Sequence, residues 1–125
     1  MILGIGTDVA DVKRINKALG NPRFIDRVYT AAEQSYCEGR GSQRGQSYAA
    51  RFSGKEAILK AFGTGLRGGS LLDIEILPDA LGCPQVRLTG WFEQLAAARG
   101  VGKVWISLSH TCEYATAQCV MEGTE

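Results

Sequence analysis

The sequence has no long hydrophobic run, no CxxC pair, no surplus of charge of one sign and only one histidine, and each absence removes a class of function. The apolar opening, Met1 to Ile5, is broken by Gly4 and followed by Gly6 and Asp8, so it fits neither a signal-peptide core nor a membrane span, and points to the cytoplasm. The four cysteines, Cys37, Cys83, Cys112 and Cys119, are scattered, so free thiols in a reducing compartment fit better than a zinc cage or redox motif. With 14 Lys and Arg against 13 Asp and Glu, no overall field would hold a nucleic acid or an anionic membrane, and any basic site must be local. A single His110 and no second carboxylate cluster leave little from which to build a two-metal phosphohydrolase centre. The GIG near the start lacks the full GxGxxG pattern, which disfavours a dinucleotide fold.

What is present fits one compact domain spanning residues 1–125, since 45% of these 125 residues are hydrophobic, enough for a modest core. Residues 2–9 alternate like a strand, with Leu3, Ile5, Thr7 and Val9 on one face and Gly4, Gly6 and Asp8 on the other. Asp11 can cap a helix through Leu19 that Gly20 and Pro22 stop, and Thr30 with Glu33 reads as a capping box for a short second helix. The polar GRGSQRGQS segment reads as a mobile surface loop. A long helix then spans about 48–62, with Ala49, Phe52, Leu59 and Phe62 as its buried stripe and Arg51, Lys55, Glu56 and Lys60 carrying charge. DIEIL and PQVRL, joined by PDALGC, suggest an antiparallel hairpin. An amphipathic helix with Trp91, Phe92 and Leu95 on one side follows, then two strands joined through His110 to Glu113. The order predicts an α+β fold, an antiparallel sheet packed against a long helix.

Taken singly, the polar residues are ambiguous. Asp8 fits a turn carboxylate at a strand end. Glu56, four residues before Lys60, fits an exposed helix pair contributing about 0.3–0.5 kcal/mol. His110 suits a structural role as well as a phosphate donor or base, and the glycines at 63 and 65 fit a helix cap as well as a close approach to phosphate.

In combination they are specific. ILGIGTDVADVKRI, RFSGKEAILKAFGTGL and SLSHTCEYATAQCVME, in that order, resemble the three signatures of the holo-acyl-carrier-protein synthases, and LGCPQV resembles the hairpin between them. Gly54 stands where alanine is common in that family, and Cys83 and Cys112 where lysine or another polar residue is common.

The resemblance implies transfer of the phosphopantetheine of coenzyme A to a serine of apo acyl carrier protein, in fatty acid biosynthesis, with release of adenosine 3′,5′-bisphosphate. It implies Asp8 and Glu56 as Mg²⁺ ligands, Glu56 also as the proton acceptor, and Lys60 as a contact to the coenzyme's phosphates. Ser109, His110 and Thr111 match a phosphate-contacting turn, Arg51 matches a contact to the 3′-phosphate, and Gly63, Thr64 and Gly65 would border the coenzyme. It further implies a homotrimer whose His110 serves the Asp8 and Glu56 of a neighbour. Arg14, with Lys13, Arg23 and Arg27, would dock an acidic carrier.

Overall fold

The computed structural model describes residues 1–124. Its element order is β1 (Ile2–Asp11), α1 (Val12–Ala18), α2 (Pro22–Val28), α3 (Ala31–Glu38), α4 (Arg44–Phe62), β2 (Ile74–Pro78), β3 (Pro84–Leu88), α5 (Gly90–Ala98), β4 (Val101–His110) and β5 (Tyr114–Gly123). The expected α+β architecture is present: an antiparallel sheet in the order β1-β5-β4, a separate β2-β3 hairpin, and α4 lying across the sheet.

Small side chains let α4 come close to the sheet. β5 turns Ala115, Ala117, Cys119 and Met121 inward, all nearly inaccessible, and α4 meets the last three with Ala57, Ile58 and Phe62. Ile74, Ile76 and Phe92 close this cluster from the hairpin and α5, each such side chain contributing about 1.5–3 kcal/mol by leaving water. A second cluster gathers Val12 and Ile15 of α1 and its C-cap Leu19 with Val28, Tyr29 and Tyr48, and the Tyr29 hydroxyl donates to the Tyr48 carbonyl at 2.8 Å.

β1 alternates as its sequence implies, but the inward face is the glycine face. Gly4, Gly6 and Asp8 turn toward α4, and a Cβ at Gly6 would collide with the Ala57 carbonyl. Leu3, Ile5 and Val9 of β1 lie on the open face of the sheet, where Ile5 is 68% and Val9 64% exposed.

Three further features depart from the sequence expectation. Pro22, expected only to stop the first helix, starts α2, a helix the pattern did not suggest: it occupies the first turn, where a missing N–H costs nothing, and the Asn21 side chain accepts from the Arg23 amide at 3.0 Å. The GRGSQRGQS segment is largely structured, because a 3₁₀ turn at Gly41–Gln43 leads straight into α4, which begins at Arg44. Lys55 is not on the solvent side but fully buried, paired with Glu33 at 2.7 Å. Gly54 is also accounted for by packing, since a Cβ there would press on Ile76 and Leu108.

Candidate active site

Asp8 leaves β1 toward α4, and its strand is tied to that helix by the Ser53 hydroxyl, which donates to the Asp8 carbonyl at 3.0 Å. Seven residues on from Ser53, Lys60 reaches back and donates to the Asp8 carboxylate at 3.1 Å and to the Thr7 carbonyl at 3.0 Å. Glu56 lies one helical turn before Lys60, about 40° away around the axis, so the two share a face. Burial pushes the Glu56 carboxyl above its usual range, the Asp8 charge pushes it the same way, and Lys60 opposes them. The Asp8 charge is thus felt at Glu56, and the Lys60 ammonium, bonded to Asp8, opposes it there.

The helix ends beside them. Gly63 takes a left-handed conformation, φ 76°, and its N–H donates to the Leu59 carbonyl at 2.8 Å. Glu56, Leu59, Lys60, Gly63 and Gly65 line one open cleft of about 400 Å³. The exposed Thr64 donates to the Gly65 carbonyl within the same turn, at 3.2 Å. Lys60 also borders an adjoining apolar depression formed by Ile5, Gly6, Thr7, Gln118, Cys119 and Val120.

Two sequence-assigned groups lie elsewhere. Arg51 does not line this cleft in the single chain: it precedes Glu56 by five residues, about 140° around the helix, and faces inward. Its guanidinium donates to the Ile76 and Ser47 carbonyls at 3.2 and 3.4 Å and stacks over the Tyr36 ring. Ser109, His110 and Thr111 are exposed at the β4–β5 turn, where Thr111 accepts from the Glu113 and Tyr114 amides at 3.2 and 3.1 Å. β5 intervenes between β1 and β4, with His110 level with Ala115 and Asp8 level with Ala117, so a single chain does not bring His110 to the cleft.

Arg14, at the start of α1, borders a groove formed with Val9, Ala10, Asp11, Ile15, Ala18, Phe24 and Phe52. Phe52, expected in the buried stripe, is half-buried at this groove, and Phe24 was not signalled by any motif. Arg23 and Arg27 are exposed on α2 and Lys13 on α1.

No cluster of three or more His, Cys, Asp or Glu exists among the described residues. Asp8 and Glu56 nonetheless suit a hard cation: both are oxygen donors, their mutual repulsion is relieved by positive charge, and Mg²⁺ is commonly held by one or two carboxylates together with substrate phosphates.

Residues 4–119 match the family model of the 4′-phosphopantetheinyl transferase superfamily. A holo-[acyl-carrier-protein] synthase from Ruminiclostridium cellulolyticum is 44% identical over 120 residues, covering 94% of this chain and 90% of the relative. The crystal structure of the corresponding synthase from Neisseria meningitidis superposes with a TM-score of 0.89 at 34% identity, over 98% of this chain and 99% of that one. That of Bacillus anthracis, in complex with CoA (3′,5′-ADP), gives a TM-score of 0.84 at 36% identity, with 99% of each chain covered.

Proposed function

The chain belongs to the holo-[acyl-carrier-protein] synthases of the 4′-phosphopantetheinyl transferase superfamily, and from that premise we propose that it transfers the phosphopantetheine of coenzyme A to a serine of apo acyl carrier protein, in the cytoplasm, for fatty acid biosynthesis. The observation that carries the reading is the Lys60–Asp8 contact with Glu56 one turn away, where Glu56 and Lys60 line an open cleft together with the glycine turn.

In the proposed reaction the serine oxygen bonds to the phosphorus that carries pantetheine. The pyrophosphate P–O bond breaks, and adenosine 3′,5′-bisphosphate departs with the electron pair. Glu56, whose carboxyl is raised by burial and by Asp8, takes the serine proton. Lys60 offsets charge on the phosphates, and residues 63–65 border them with small side chains and backbone amides. Mg²⁺ held by Asp8 and Glu56 would supply further screening of the pyrophosphate and stabilise the leaving group.

His110 enters this scheme through assembly as a homotrimer, in which the β4–β5 turn of one protomer reaches the cleft of its neighbour. The exposed Leu3, Ile5 and Val9 on β1 and Trp105 on β4 support an apolar sheet face covered by another copy. For the carrier, Arg14 stands beside an apolar groove with Phe24 and Phe52, an arrangement suited to an acidic partner that also presents apolar side chains, and Arg23 lies on the adjacent α2.

Intact-mass spectrometry of apo carrier protein after incubation with the enzyme, Mg²⁺ and coenzyme A is expected to show addition of the phosphopantetheine arm. Asp8→Ala or Glu56→Ala should slow it on the order of 100-fold or more. Undiminished transfer by both variants would reject their assignment.

A further inference from the structure

The turn after α4 is held from outside by a residue that does not line the cleft. Arg99, at the C-cap of α5, donates from Nη1 to the Phe62 carbonyl at 2.5 Å and places its guanidinium over the Phe62 ring. Phe62 is the last residue of α4, and its carbonyl belongs to the same peptide as the Gly63 N–H, which donates to Leu59. That peptide plane is thus fixed at both ends. Arg67, within the following loop, donates to the Thr64 carbonyl at 3.2 Å. No peptide bond among the described residues is cis, so fixing the Thr64 carbonyl also fixes the opposed direction of the Gly65 N–H. α5 supports the rest of the loop, with Gly68 and Gly69 lying against the rings of Trp91 and Phe92.

We propose that Arg99 is a positioning residue for coenzyme binding, setting the orientation of the turn at residues 63–65 before the coenzyme arrives. A cation at a helix C-terminus is favoured by the unsatisfied carbonyls and the helix dipole, and here it acts at the one point where α4 passes into the cleft-lining turn. Holding that peptide in advance removes ordering that coenzyme would otherwise have to impose, so the effect belongs to coenzyme affinity rather than to the chemical step or to the carrier. The assignment rests on the proposed transferase reading for the identity of the ligand.

The test compares wild type with Arg99→Ala, Arg99→Gln and Arg99→Lys in the full chain. Coenzyme A binding is measured by calorimetry without carrier, then KM for coenzyme, KM for carrier and kcat in the transfer assay. Arg99→Ala and Arg99→Gln are expected to weaken coenzyme binding about five- to tenfold, with kcat and carrier KM changed less than about twofold, and Arg99→Lys should recover much of the affinity. Unchanged coenzyme affinity in Arg99→Ala and Arg99→Gln overturns the proposal. So does a parallel loss of coenzyme affinity, carrier affinity and thermal midpoint, which would make Arg99 merely structural. The calorimetric arm keeps the two readings apart: wild type that binds coenzyme A yet modifies no carrier refutes the transferase reading while Arg99 remains measurable.

Discussion

Lys55 and Glu33 have no exposed side-chain surface, yet neither lacks a partner. The Lys55 ammonium donates to Glu33 and to the carbonyls of Val28 and Leu71, at 2.7, 2.5 and 2.9 Å. Glu33 in turn accepts from the Thr30 amide at 2.9 Å and from the Ile76 amide at 2.8 Å. Burial lowers the Lys55 pKa from its ordinary value while Glu33 works in the opposite direction. Such a pair gives little net stability compared with an apolar replacement, but breaking one half strands the other. Lys55→Met is expected to destabilise the protein by about 3–5 kcal/mol, read as a lower urea midpoint, because Glu33 is left in a dry site without its cationic partner. A change below about 1 kcal/mol would mean that water reaches the carboxylate. Residue type alone pointed Lys55 and Arg51 toward solvent, and both are buried: apart from the Ser47 carbonyl, their partners come from α2, α3, the hairpin and the loop after α4, long-range neighbours that spacing does not encode. Asp8, Glu56 and Lys60 are singled out by their match to the family's signatures, since spacing alone leaves each of them ambiguous; the alternation of β1 and the shared turn of α4 account for how Asp8 and Lys60 come to meet.

Among the elements, α4 and β1 form the contact on which the cleft depends. Their closeness comes from the missing side chains at Gly4 and Gly6, which let α4 backbone sit directly over the strand. Gly6→Ala should therefore cost about 3 kcal/mol, seen as a fall in thermal midpoint, and should impair transfer as well, since Asp8 lies two residues on along the same face. Wild-type stability in that variant would mean that the strand yields freely. The capping box of α3 and the β2-β3 hairpin were readable because each is closed by local chemistry: Thr30 with Glu33, and Asp79 accepting from the amides of Leu81 and Cys83 at 2.9 and 3.0 Å. α2 escaped because proline marks both the end of one helix and the start of the next, and only the Asn21 cap distinguishes the two.

At the scale of the whole molecule, the isolated protomer leaves one sheet face uncovered while the other is packed. Ile5, 68% exposed, makes no contribution to the buried core, so Ile5→Glu should leave the protomer folded. In the proposed trimer the same change is expected to shift the mass measured by light scattering toward the monomer and to lower transfer, because each cleft would lose the neighbouring His110. An unaltered mass would place the assembly surface elsewhere. Which face of β1 stays open was beyond the residue pattern, since alternation gives two faces without saying which of them meets the protein's own helix. β1 also works as a ruler: sliding it by one residue along β5 would drive Ile5 and Val9 into the narrow gap beneath α4 and swing Asp8 away from Lys60, so the narrowness of that gap selects the single strand alignment in which the acidic side chain meets its cation.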